Sequence, residues 1–306
     1  MEKLLCCDKK VDKNTCVSSP EPLLNSRRVL QNLLQLEDRY YLASSYFVCL
    51  QSDIKPYMRE KVTEWMWEVC EGEHCQQDVF PLAVNCMDRF LSVVKLKRSQ
   101  LQLLGTVCLF LASKLRQVVP LMGRKLCQYT DNSVTQEELL SWELLVLSRL
   151  KWDISAVIPN DFLEPLLYRL LLSEGARTKA RQHAEVFINM CCTEFKFSMY
   201  PPSMVAAASV GAAVQGLHRL NKELWESSRE LLTRLHLITG IEIDCLRHCL
   251  EQIEEMIAAD ITPTQTSPMV SLNGNGSNNN KMADSSGLKP ADSKPETPTD
   301  VQDVHF

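Results

Sequence analysis

The chain has 306 residues, about two domains' worth, with 33 Lys+Arg against 38 Asp+Glu and a net charge of −5. A mild acid excess argues against a nucleic-acid binder, which carries a basic patch or stripe. No apolar run reaches the roughly 18 residues of a membrane span, the few glycines form no phosphate-binding loop, and the opening MEKLLCCDKK has no signal-peptide apolar stretch. Thirteen cysteines, an odd number, without a secretory signal point to reduced thiols in a cytosolic or nuclear compartment. Cys49, Cys86, Cys108, Cys191 and Cys192 sit in apolar runs and behave as small hydrophobes.

A polar arm, Asp8–Pro22, precedes a first helix near Leu24–Arg39 with Val29, Leu30, Leu33, Leu34 and Leu36 on its apolar face. The arm is expected to be mobile. Five helical stretches follow. Tyr57–Glu71 carries Met58, Val62, Trp65, Met66 and Val69 at the spacing of one buried face. Asp78 is placed to cap a helix running to Val93. Arg98–Arg116 is apolar nearly all round and so belongs in the middle of a bundle. A shorter piece covers Met122–Tyr129. Thr135 opens the fifth helix with Glu138 as a capping box, and Leu139, Leu140, Leu144, Leu147 and Leu150 form its apolar face.

Pro159 breaks the run, and a second copy of the pattern begins. Asn160 is placed to cap Phe162–Leu172. Lys179–Phe197 follows, then Ser203–Leu217 behind Pro201 and Pro202, again apolar all round, then Lys222–Leu237 and Asp244–Ala259. Each half thus has about five helices with the most apolar one third, a repeat of pattern rather than of identity. From Thr262 onward Thr, Ser, Asn, Pro and Gly dominate. Such a segment cannot bury enough surface to offset its ordering entropy, and a disordered tail is expected.

Ordered motifs carry a family resemblance. M-R-E-K-V at Met58–Val62 with Trp65 and Glu68, M-D-R-F-L at Met87–Leu91, L-Q-L-L-G-T at Leu101–Thr106, A-S-K at Ala112–Lys114 and L-K-W at Leu150–Trp152 resemble a cyclin box. Y-T-D-N-S at Tyr129–Ser133, Y-P-P-S-M-V-A-A at Tyr200–Ala207, T-P-T-D-V at Thr297–Val301 and L-L-C-C-D at Leu4–Asp8 are similar to the D-type cyclins. The resemblance implies an all-α chain of two tandem five-helix cyclin-box domains. Its divisions are a mobile arm over 1–22, an N-terminal box with its preceding helix over 23–157, a C-terminal box over 158–261 and a disordered regulatory tail over 262–306.

It also implies function. A D-type cyclin is a non-catalytic subunit, without cofactor or metal, that binds and activates a cyclin-dependent kinase catalytic subunit in G1. It promotes phosphorylation of retinoblastoma-family proteins and the G1/S transition. By the same resemblance Lys114 and Glu143 contact the kinase. Met58, Lys61, Val62, Trp65, Glu68, Leu101 and Gln102 form a groove for R-x-L peptides of substrates and kinase inhibitor proteins. Arg59 and Asp88 form a structural ion pair, and Leu4-x-Cys6-x-Asp8 contacts retinoblastoma proteins. Thr297 is a phosphorylation site read by a ubiquitin-ligase adaptor. Three departures stand out: Lys61 where the family carries an aliphatic residue, Gln117 where it has an acid, and Asp8 where it has Glu. Nucleus and cytoplasm are the implied compartments, and neither nucleic acid nor membrane is a partner.

Other chemistry is weaker. Cys70, His74 and Cys75 lack the second ligand pair of a zinc site, as do Cys245, His248 and Cys249. His183 and Asp161 could be a base and its orienter, but no nucleophile motif accompanies them. The rival readings are a cyclin-fold adaptor for a transcription complex, which predicts a basic face, and a decoy that binds a kinase without activating it. Lys61 and Gln117 keep the decoy in play.

Overall fold

The structure is a computed structural model that describes residues 27–220 and 228–261. It is all helical, with no strand among the described residues. The helices are α1 (Arg27–Leu36), α2 (Tyr46–Cys49), α3 (Pro56–Gly72), α4 (Val79–Leu91), α5 (Leu101–Arg116), α6 (Gly123–Tyr129), α7 (Gln136–Arg149), α8 (Pro159–Arg169), α9 (Glu174–Thr193), α10 (Pro202–Leu220), α11 (Ser228–Thr239) and α12 (Ile243–Ile261). Helices α3 to α7 make one bundle and α8 to α12 the other. The Leu4, Cys6, Asp8 motif, Thr297 and the expected tail lie outside the described residues.

In each bundle the helix apolar on every side is the axle. Helix α5 packs against α3, α4, α6 and α7, and α10 against α8, α9, α11 and α12. Leu104, Val107, Cys108, Leu109 and Ala112 of α5 are buried, as are Ala206, Ala207, Val210, Ala213 and Val214 of α10. Each fully buried Leu or Val stabilises by about 1.5–3 kcal/mol. The small residues of α10 let its neighbours approach closely. A Cβ added to Gly211 would lie 2.8 Å from Leu250, and one added to Gly105 of α5 would lie 2.9 Å from Val62. Those two contacts set how near α12 and α3 can come.

Several helix ends differ from the expectations. Asp78 occupies the N-cap of α4 but its side chain makes no capping bond. It turns to Arg116 instead, at 3.4 Å. Helix α8 begins at Pro159, a ring already set to a helical φ, and not beyond Asn160. The side chain that reaches back to the Ile158 N–H is that of Asp161, at 2.9 Å, while Asn160 donates to the Gln77 carbonyl. Helix α9 starts earlier than expected, at Glu174, and stops at Thr193, with a 3-10 turn over Phe195–Met199. Thr135 and Glu138 do form the expected box. Leu140 and Leu144 do not belong to the buried face of α7: only Leu139, Val146 and Leu147 do, with Leu150 at the C-cap.

The bundles are joined by buried polar groups. Arg59 of α3 donates to both oxygens of Asp88 on α4, the closer at 2.8 Å, and also to the Thr193 carbonyl and the Ser198 hydroxyl beyond α9. Helix α1 precedes the first bundle in sequence but packs on α8 of the second. The turn after it carries buried Glu37, whose carboxylate accepts from the Ser203 N–H and hydroxyl, each at 2.7 Å, in the first turn of α10. That is an acidic group at a helix N-terminus, where the dipole favours negative charge.

Candidate functional site

Lys114 lies near the C-terminus of α5, where buried Ser113 holds the next turn: the Ser113 hydroxyl accepts from the Leu121 N–H at 3.2 Å. The Lys114 ammonium sits 3.7 Å from the centre of the Phe110 ring and 2.5 Å from a Glu143 oxygen on α7. The two residues named from sequence are therefore one ion pair bridging α5 and α7. The chain segments that carry the pair also hold exposed apolar side chains. Leu115, Val118, Val119 and Met122 come from the end of α5 and the segment after it, and Leu140 and Leu144 from α7. Val118 is 92% and Leu144 63% exposed. Single exposed leucines need no explanation, but several in the stretches that carry this ion pair form an unusually apolar exposed set. The sequence concealed it because periodicity assigns every apolar residue of an amphipathic helix to the core.

Gln117, at the C-cap of α5, has its side-chain oxygen buried without a hydrogen-bond partner among the described residues. Just before it, Arg116 spans Asp78 and Asp161, the latter at 3.1 Å. Asp161 is thus engaged with Arg116 and not with His183, whose ring faces Phe187.

The second surface is the outer flank of α3. Met58, Val62 and Trp65 are half-buried against the core, and Lys61 and Glu68 are exposed. The Trp65 indole donates to the Tyr129 carbonyl at 3.3 Å, which fixes its ring against α6. The Lys61 ammonium lies 2.7 Å from Glu64, on the same helix, and that carboxylate raises its pKa. Gln102 is half-buried at the start of α5. Leu101 departs from the expectation: at 2% exposure it is core and offers no surface to a ligand. It is the first residue of α5 after a 3-10 turn, and that register points it inward.

Arg59 and Asp88 lie behind these surfaces. The Tyr46 hydroxyl donates to Asp88 at 2.7 Å and the Ser198 hydroxyl at 2.8 Å, so the carboxylate is held by three side chains. Burial lowers the Arg59 pKa most, but the charge of Asp88 and the hydrogen bonds to it, with smaller help from Tyr46 and Cys192, together outweigh it, and the net shift is upward. Tyr46 and Ser198 were not foreseen, since nothing local marks a residue that closes a network far along the chain. The same holds for Gln51, whose amide donates to the Leu91 and Val94 carbonyls and accepts from the Leu96 N–H. Among the described residues no group of His, Cys, Asp and Glu could hold a metal. No described helix is long and apolar enough to cross a membrane.

Two helical bundles of like design, each wrapped round a buried axle, joined through the arginine of an M-R-x-x-V helix, define a class. The chain belongs to the cyclin family: residues 28–155 match the model of the cyclin N-terminal domain and 157–272 that of the cyclin C-terminal domain. Along nearly its whole length it is similar to the D-type members. It is 45% identical over 305 residues to G1/S-specific cyclin-D2 of Xenopus laevis, covering 99% of this chain and 100% of that one. It is 46% identical over 308 residues to G1/S-specific cyclin-D3 of Homo sapiens, with the same coverage. Among solved structures, a viral cyclin from herpesvirus saimiri superposes with a TM-score of 0.68 at 25% identity, over 76% of this chain and 97% of that one.

Proposed function

We propose that this chain is the regulatory subunit of a cyclin-dependent kinase acting at the G1/S transition, and that it turns the kinase on toward retinoblastoma-family proteins. The observation that carries the reading is the Lys114–Glu143 pair together with the exposed apolar side chains of α5 and α7. A kinase holds ATP correctly only when a strand lysine pairs with a glutamate of its movable helix. A rigid surface that binds the engaged position of that helix better than the displaced one shifts the population toward activity. The axle packing of α5 supplies rigidity, exposed Leu140, Leu144 and Val118 supply apolar area, and Lys114 supplies donors for carbonyls at the end of a kinase helix. The chain contributes no reacting group.

The α3 flank is the docking surface for R-x-L segments of substrates and kinase inhibitor proteins, with Trp65 as apolar wall and Glu68 as partner for the peptide arginine. Leu4, Cys6 and Asp8 give a further contact to retinoblastoma proteins, and Thr297-Pro298, once phosphorylated, a handle for a ubiquitin-ligase adaptor. The complex works in nucleus and cytoplasm. The test is reconstitution with candidate kinases, followed by phosphorylation of a retinoblastoma fragment. Activation is expected, and Lys114→Glu should weaken kinase binding by about 2–5 kcal/mol. Tight binding without activation would make the chain a decoy; no binding to any kinase would leave an adaptor.

A further inference from the structure

Helix α3 ends in a way that brings two thiols together. The Cys75 N–H donates to the Cys70 carbonyl at 2.9 Å and the His74 N–H to the Glu71 carbonyl at 3.1 Å, while His74 takes a left-handed φ of 51°. This nested pair of bonds is the Schellman closure, in which the side chains of its first and last residues meet, normally as a hydrophobic contact. Here both residues are cysteine. A shared backbone bond of that length brings the two Cα atoms into the range a disulfide spans, about 4.4–6.8 Å. The nearness of the two thiols raises the Cys70 pKa and lowers that of Cys75. Cys70 is buried, and Cys75 is partly open to solvent.

We propose that Cys70 and Cys75 form a reversible disulfide, with Cys75 as the thiol that meets a peroxide and Cys70 as the one that resolves it. The end of the helix is already clamped, since Glu73 accepts from the Tyr129 hydroxyl and from Lys125, each at 2.6 Å. Closing the bond therefore asks little of the backbone. The other buried thiols are poor nucleophiles: burial pushes Cys86 up to about 11 and Cys192 and Cys249 up to about 12. Cys75 moves the other way. The neighbouring Cys70 thiol, and after it the Gln117 side chain, hold it below its usual value despite partial burial. Thiolate character and access together select the thiol that oxidises first. Cys70 and Cys75 line a pocket together with Trp67, His74, Phe80 and Asn189.

The chemistry balances with hydrogen peroxide as oxidant. The Cys75 thiolate attacks one peroxide oxygen, an S–O bond forms, the O–O bond breaks, and hydroxide leaves to take a proton as water. The Cys70 thiol, giving up its proton, then attacks the Cys75 sulfur. The S–S bond forms, the S–O bond breaks, and the oxygen leaves as a second water. Two thiols lose two electrons and two protons in all, and a dithiol reductant reverses the change by thiol–disulfide exchange.

The test uses the reduced, full-length chain. It is exposed briefly to dilute hydrogen peroxide, quenched and unfolded with N-ethylmaleimide in denaturant and digested with trypsin, and the peptide over residues 62–89, which holds Cys70, Cys75 and Cys86, is fragmented. The expected result is the loss of two hydrogens placed between Cys70 and Cys75, one maleimide on Cys86, and reversal by dithiothreitol. It should appear before exposed Cys49 or Cys245 reacts. Cys70→Ser should instead leave a sulfenic acid at Cys75 that dimedone traps, and Cys75→Ser should leave Cys70 unoxidised. Oxidation of Cys49 or Cys245 while the pair stays reduced would overturn the proposal, as would a Cys75 sulfenic acid that persists in the natural chain.

Discussion

At the scale of single residues, the chain places charge where hydrophobic residues would pack more simply. Arg59 has no exposed surface, and its partner Asp88 is nearly as buried. Removing one member leaves the other charged and dry, so Arg59→Met should destabilise by about 3–5 kcal/mol in urea denaturation. Arg59→Met with Asp88→Leu should be milder than the single change, yet still weaker than the natural chain. The Tyr46 and Ser198 hydroxyls and the Thr193 carbonyl would lose their partner, and each orphaned buried group costs about 1–3 kcal/mol. If the double variant matched the single one, the pair would not be the seat of the cost. His74 gives the opposite case. Its left-handed φ of 51° is strained by roughly 1–2 kcal/mol for a residue with a Cβ, and glycine gives part of that back as chain entropy. His74→Gly should therefore stabilise by a few tenths to about 1 kcal/mol, seen as a small rise in Tm.

Among elements, the short α6 is tied to the end of α3 by charge: Lys125 and Tyr129 both bond Glu73. Burial pushes the Glu73 carboxyl upward, but the bonds from Lys125 and Tyr129 outweigh it and hold the group below its free value of 4.5. A carboxylate depressed in the folded state stabilises above its unfolded pKa, and that contribution fades as pH falls through the folded value. The stability gap between the natural chain and Glu73→Gln should hence be constant near neutrality and shrink as pH drops below about 4.5. A gap that stayed level to pH 3 would mean that the ion pair contributes nothing. Helix existence was legible at this scale because apolar spacing and breakers such as Pro159 and Pro202 are local signals. Caps were less so. Asp78 and Asn160 have the chemistry of N-caps, but Arg116 lies across the bundle from Asp78 and the Gln77 carbonyl takes the amide of Asn160. Helix α2 went unread, since four residues carry no period.

For the whole molecule, periodicity tells which face is buried and not against what. The five-helix pattern showed twice in the sequence, yet the seat of α1 on the second bundle did not. Nor did the outward set of Leu140, Leu144, Val118 and Val119, which core packing alone would have claimed. The ligand surfaces were named through family motifs, and geometry then removed Leu101 from the groove. Lys61 is where the molecule departs most from the docking chemistry it resembles. Two effects of the lysine oppose binding of an R-x-L peptide: repulsion of the peptide arginine and absence of an aliphatic wall. Glu64 stands 2.7 Å from the ammonium in an exposed pair, so the repulsion is partly cancelled and screened by solvent. The missing apolar area is worth about 1.5–3 kcal/mol and dominates. Lys61→Ile should therefore tighten binding of a labelled R-x-L peptide by roughly ten- to a hundredfold, read by fluorescence polarisation on the kinase complex. Lys61→Gln, which removes charge without adding wall, should gain no more than about fivefold. Equal gains would assign the defect to charge, and no gain from either would remove Lys61 from the groove.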